Sequence, residues 1–424
     1  MKQSTNRTLA ALLAIVMAVS ACLAFVSCGN DDPASTTENK PIATLPGGDT
    51  TTTTAGQPVA TTTTGSTPVA TTTTGTTTTP VNPGSYVNPL TGEPSVKDLS
   101  NTRPLAIVVD NNMNAHPNQT GLDQADILYE ALVAPGITRF LAVYADYSAV
   151  DSVCNIRSGR DYHLDWAAFH NAVLMCHGAS NTVNYDFYSL AAARLGSRWG
   201  FVDTQWEYFF STAEAGAMYG TIANHGERLD LQYDTLFKPA AFEMLLKYPG
   251  SHFVAQGQGT ITGVAKKSLN FVPYGTKKDM TGASSATNVN LSFTCQDAVG
   301  SEKVSFTYNA DLDKYLRYQE NAPHVDSETK QQLAFTNVLV LLTDVKCVST
   351  GIANDPYMTT VQTKNTSGLG YYFYGGKVIQ VRWFSDGNMI ALVDSLNNDL
   401  TLATGNTYIG YLDNALLSSG QFWN

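Results

Sequence analysis

The chain has 424 residues, 43% of them hydrophobic and 14% charged, with a formal net charge of -11. A body this acidic is repelled by nucleic acid and by anionic lipid headgroups, so nucleic acid is not expected as a partner. Six cysteines in so long a chain exclude a disulfide-built scaffold, and their spacings match no zinc site, so no metal and no cofactor is expected.

In chain order, residues 1–27 read as a lipoprotein signal peptide. Lys2 and Arg7 precede an apolar run from Leu9 to Val26, which ends at Ser27, Cys28, Gly29 and Asn30 instead of a positively charged stop. A small residue before cysteine and a polar turn after it suit acylation of Cys28. Cys22, after Val19, Ser20 and Ala21, is the alternative, but cleavage there would leave Leu23 to Val26 as an apolar stub. A diacylated cysteine holds a protein at a bilayer without a transmembrane helix, which predicts an extracytoplasmic, membrane-tethered chain. Residues 28–85 read as a disordered threonine-rich linker built on TTTTAGQPVA, TTTTGSTPVA and TTTTGTTTTP. As a coil it would reach roughly 40 Å.

From Tyr86 onward the composition is that of a folded body. Residues 86–250 are expected to form a mixed α/β domain. Its strands are Leu105 to Val109, then Ile127 to Val133 and Ile137 to Tyr144 as a hairpin around Pro135-Gly136, then Ala172 to Cys176; its helices begin at Ser158 and at Asn184. Residues 251–287 read as a connector, and 288–424 as a smaller, mostly antiparallel β domain with short strands separated by turns. Cys154, Cys176, Cys295 and Cys347 read mainly as buried small apolar residues.

The stretches NPLTGEP (88–94), RPLAIVVDNN (103–112), GLDQADILYEALVAPGITRFLAVY (121–144) and NIRSGRDY (155–162) resemble the YerB-like family of bacterial lipoproteins. YLRYQENAPHVD (315–326), AFTNVLVL (334–341) and LATGNTYIGYL (402–412) are similar to that family's C-terminal domain. The resemblance spans nearly the whole body and implies an N-terminal domain of unknown function with a C-terminal companion, without lending an activity. Where it leads to an expected Pro-His-Asn segment, this chain reads Ala223, Asn224, His225 and Gly226.

Arg157, Ser158, Arg160 and Asp161 form the sharpest candidate site. Ser158 with Asp161 three residues on reads as a capping box, and two arginines beside a helix N-terminus suit a phosphate or carboxylate. Glu130 and Arg139 interrupt apolar strands, and the expected hairpin sets Leu132 opposite Arg139 with Glu130 diagonal on the same face, which predicts an ion pair. Arg317 is a further binding candidate, because it matches the family in the second half. His177 and Asp110, each at the end of a strand, would make a proton-transfer pair if those strands were neighbours. Three functions follow. The first is an envelope binding or scaffold module for an anionic or wall-derived ligand. The second is an envelope hydrolase, and the third an interaction partner of a membrane protein.

Overall fold

The computed structural model describes Gly84, residues 86–179, 265–295, 300–352 and 355–424, and short stretches within 181–190 and at 201–203, 219–221 and 235–237. The signal peptide, Cys22, Cys28, the threonine-rich linker, the 223–226 loop and most of the helix expected from Asn184 lie outside these residues.

The first half supplies β1 (Leu105–Asp110), β2 (Ile127–Ala134), β3 (Ile137–Tyr144), α1 (Asp161–Phe169) and β4 (Val173–Cys176). The second supplies β5 (Asn288–Phe293), β6 (Glu302–Asn309), β7 (Lys314–Gln319), β8 (Asn337–Thr343), β9 (Thr366–Tyr374), β10 (Lys377–Ser385) and β11 (Thr407–Asp413). One mixed sheet runs through both halves in the order Phe201–Asp203, β4, β1, β3, β2, β11, β8, β9, β10 and Ser284–Ser285. The junction is the parallel pair of β2 and β11, in which Ile127 stands against Thr407 and Glu130 against Gly410. A smaller sheet contains β5, β6 and β7.

The mixed α/β class expected for the first half is corrected: the chain is mostly β. Among the described residues α1 is the one α-helix traced from end to end, and Phe187, Ser189 and Leu190 are helical positions within the helix expected from Asn184. The apolar runs of β1 and β4 correctly signal strands buried on both faces, the usual mark of strands lying between two helical layers. Here α1 covers one face, and the β5–β7 sheet covers the other. On the helix face Trp166 stacks against Tyr129 of β2 and Tyr411 of β11, with ring centroids 5.0 and 5.2 Å apart. On the far face Phe306 of β6 packs at 4.8 Å on Tyr408 of β11. β10 lies toward the sheet's edge and alternates buried and exposed positions, as a strand with one wet face does.

Two further expectations change. Cys295 and Cys347 form a disulfide, and among the described residues Cys154 and Cys176 are the buried cysteines outside it. The first helix starts at Asp161 instead of Ser158, with Arg160 as its extended N-cap residue.

Candidate functional site

The hairpin turn falls at Pro135-Gly136 as expected, with Gly136 at φ +70°, but a bulge between Leu132 and Ala134 shifts the pairing by one residue. Ala131, not Leu132, stands opposite Arg139, and Glu130 stands opposite Phe140. Directly opposed residues share a face and neighbours along a strand alternate, so Glu130 and Arg139 point to opposite sides of the sheet. The expected Glu130–Arg139 ion pair is therefore corrected, and each side chain belongs to a different polar cluster.

Glu130 faces the β5–β7 sheet and is fully buried with Arg317, whose Nη2 donates to both carboxylate oxygens at 3.0 and 2.8 Å. Asn111, Thr138 and the Tyr408 hydroxyl also donate to that carboxylate, at 2.9, 2.7 and 2.7 Å. Gly410, opposite Glu130, leaves the space this requires: a Cβ there would stand 3.0 Å from the Tyr408 hydroxyl. Arg317 Nη1 bonds Gln319 Oε1 and His324 Nδ1, and its guanidinium lies 5.0 Å from the Phe140 ring centroid. His324 Nε2 bonds Gln119, and its ring stacks 4.1 Å from that of His116. Burial first, and then the Arg317 charge, pull His116 down to about 4, so it is neutral at pH 7. Burial and the same arginine push His324 well below the ordinary histidine range. A carboxylate accepting five hydrogen bonds from four side chains inside a packed interface has no lone pair left for a ligand. This cluster joins the two halves of the chain.

The second cluster lies on the helix face, beyond the point where β1 and β4 separate. These strands pair in parallel from Leu105–Val173 to Ile107–Met175. Past that point the segment Asn155–Gly159 enters between them: Arg157 N donates to Val108 O, His177 N to Arg157 O, and Gly159 N to Gly178 O. Diverging C-terminal ends of neighbouring strands are where parallel sheets commonly bind ligands; here that crevice is floored by Asn155–Gly159, bonded to both strands. Gly159 fits because a Cβ there would lie 2.8 Å from the Phe187 ring. The Ser158 hydroxyl donates to His177 O at 3.1 Å, so Ser158 holds the crevice wall and does not cap the helix. The N-cap amide of Arg160 is instead bonded by His163 Nδ1, three residues on, at 3.0 Å.

Arg157 Nε lies 3.0 Å from the Asp110 carboxylate. Asp110 stands directly opposite Arg139, which places Arg139 on this face with its Nη1 donating to Ser158 O at 2.8 Å. Arg160 Nη1 donates to the carbonyl of its own neighbour, Gly159. Arg139 and Arg160 are only 9% and 7% exposed, yet their Nε atoms have no hydrogen-bond partner among the described residues. Burial and the charge of Arg160 pull the Arg139 guanidinium down to about 9, with Asp110 opposing and Arg157 adding to the depression. It remains charged at neutral pH. Three guanidiniums thus share one end of a nine-residue helix with Asp110 and Asp161.

The structure brings together Arg157, Ser158, Arg160, Asp161, Arg139, Asp110 and His177, and separately Glu130 with Arg317. β1 and β4 are neighbours, as a His177–Asp110 pair would need, but the Asp110 carboxylate is engaged by Arg157. Sequence reading missed Asn111, Thr138, Gln119, Gln319 and Tyr408. Asn111, Thr138, Gln319 and Tyr408 lie inside the family-like stretches, the one signal that could have found them, whereas Gln119 lies outside them.

The family described as "Protein of unknown function (DUF3048) N-terminal domain" matches residues 90–209, and its C-terminal domain matches residues 294–409. The chain belongs to this family. The "Putative lipoprotein YerB" of Bacillus subtilis (strain 168) is 25% identical over 340 residues, covering 78% of this chain and 89% of the relative. The crystal structure of the YerB protein from Bacillus subtilis covers 77% of this chain and 96% of its own, with a TM-score of 0.59 at 20% identity, a likeness of fold. Every residue of the Glu130–Arg317 carboxylate cage, and every arginine of the crevice, lies within the two DUF3048 matches.

Proposed function

We propose that this DUF3048 protein is an envelope ligand-binding module, tethered outside the cell membrane through an acylated Cys28, that holds an anionic group of wall material in the arginine crevice. The observation that carries the reading is the pair of buried guanidiniums, Arg139 and Arg160, beside a helix N-terminus, which donate to backbone carbonyls and whose Nε atoms have no partner among the described residues. A buried donor left unbonded costs about 1–3 kcal/mol, and more when charged, so an arrangement with two is best explained by a ligand that completes it. Phosphate and carboxylate both present oxygens that accept from guanidinium forks and helix N–H groups.

Export is supported by the Cys295–Cys347 disulfide, since such bonds persist in oxidising compartments, and by the lipoprotein name of the relative. Among the described residues no helix is long and apolar enough to cross a membrane, which leaves the acyl chains as the proposed anchor.

The test is calorimetric titration of the exported chain with inorganic phosphate and with phosphate-bearing and carboxylate-bearing wall fragments. The double variant Arg157→Ala with Arg160→Ala is expected to lose at least tenfold in affinity. Equal binding by variant and parent would overturn the site. For the anchor, labelled palmitate is expected to enter the parent and not Cys28→Ser. Labelling that persists in Cys28→Ser and disappears in Cys22→Ser would move the anchor to Cys22.

A further inference from the structure

A cavity of about 330 Å3 lies on the outer side of the β5–β7 sheet. Along β5, Val289, Leu291 and Phe293 alternate with Asn288, Asn290 and Ser292, so the apolar set faces the core and the polar set faces outward. In the antiparallel ladder Asn290 stands opposite Ser305, Ser305 opposite Tyr318, and Ser292 opposite Lys303, which puts these side chains on one face. The segment after β11 forms the wall, with Ser419, Gln421 and Phe422 in the lining. That wall is fastened to β5, because Asn290 N donates to Phe422 O at 2.7 Å and Asn288 N to Asn424 O at 3.0 Å.

The chemistry of the lining selects its ligand. It holds amides and hydroxyls over an apolar floor of Leu291 and Val304, with one cation, Lys303, and no carboxylate, in a chain whose net charge is -11. Among the described residues no hydrogen bond engages the side chains of Asn290, Ser292, Ser305 or Asn321. Each of these groups both donates and accepts. An anion would use only the donors, and a hydrocarbon would use neither. Sugar hydroxyls donate and accept in turn, and the C–H face of a sugar ring can rest on an apolar floor. An extended peptide is a poorer match. It joins a sheet through a free edge, and the N–H groups of Asn288 and Asn290 on the edge of β5 are already taken.

We propose that this cavity is a carbohydrate site, which takes an uncharged sugar unit of a glycan. Asn290 and Ser305 hold neighbouring hydroxyls or an N-acetyl group, and the floor supports the ring. The cavity is at the small end of ligand pockets, which suits a short stretch of glycan chain. Its polar groups stand on paired strands, so they are held in place before the ligand arrives. The β5–β7 sheet and α1 cover opposite faces of the large sheet, so this site neither rests on the anion reading of the arginine crevice nor fails with it.

The experiment is saturation-transfer NMR with calorimetric titration of the full exported chain, using the tetrasaccharides of N-acetylglucosamine and of glucose as probes. Saturable binding of at least one is expected. It should weaken at least tenfold in Asn290→Ala with Ser305→Val, because each lost hydrogen bond is worth roughly twofold to tenfold. Asn290→Asp keeps the shape of the side chain and loses its donor, and it should weaken binding in the same direction with the melting temperature of the parent. Arg157→Ala with Arg160→Ala should bind the sugars as the parent does. Failure of both probes to bind overturns the proposal, as does equal binding by the parent and the Asn290 variants. A loss confined to the crevice variant would give the neutral glycan to the arginines and overturn it as well.

Discussion

The two polar clusters sit back to back on the same strands, and they differ in how their charges are balanced. Asn111 and Phe140 face the β5–β7 sheet, while Asp110 and Arg139, one residue away on the same strands, face the helix. Around Glu130 every carboxylate lone pair is occupied, and the donors come from both halves of the chain. The Nε atoms of Arg317, Arg139 and Arg160 all lack a partner among the described residues, but Arg317 meets its counter-charge through two hydrogen bonds, whereas Arg139 and Arg160 donate to backbone carbonyls. The first arrangement is a fastener. The second is the arrangement proposed above as a receptor. Burial alone does not separate them.

That contrast can be broken most forcefully at Arg317. Arg317→Met leaves Glu130 buried without its counter-charge and is expected to cost about 3–5 kcal/mol of stability, read from urea midpoints. The double variant Glu130→Gln with Arg317→Met should recover most of that loss. A single variant as stable as the parent would show that the pair does not hold the halves together.

A second test uses pH at Glu302, which opens β6 beside this network. Burial first, then the Glu130 charge, raise its carboxyl to about 7 against the ordinary 4.5. The folded chain therefore keeps a proton that the unfolded chain releases between pH 4.5 and 7. This contribution is fully present below 4.5 and is lost as pH rises through 7. Glu302→Gln should be more stable than the parent at pH 8, by on the order of 1–3 kcal/mol, and the gain should vanish at pH 4.5. A gain of the same size at both pH values would assign the effect to packing.

The smallest effect on stability is expected in the crevice. Arg160→Ala removes a charge that its neighbours repel and should change stability by less than about 1 kcal/mol, while phosphate affinity falls about tenfold. Phosphate should raise the melting temperature of the parent and leave that of the variant unmoved. A large loss of stability without a change in affinity would make Arg160 structural.

Much of the strand pattern was legible, because β1, β2 and β3 carry continuous or paired apolar runs and Pro135-Gly136 marks their turn. The register was not. A bulge at Val133 adds one residue, and one residue is enough to send Glu130 and Arg139 to opposite faces. Nor could local spacing find the true partner of Glu130, since Arg317 is 187 residues away. The arginines beside the helix start were readable from NIRSGRDY, but the helix itself begins three residues later, because Ser158 spends its hydroxyl on His177 O. The helical layers expected over the first half failed for a different reason. Apolar strands report that both faces are covered, and they are silent on whether helix or sheet does the covering.

The position of β11 carries a consequence for how the protein is made. Residues 407–413 are made long after β2, yet they lie between β2 and β8 at the middle of the large sheet. Until they arrive, the edges of β2 and β8 have no partner, and pairing across nearly 300 residues is slow. Closure of the large sheet is thus a late step of folding, since the first half waits for a strand from the far side of the second.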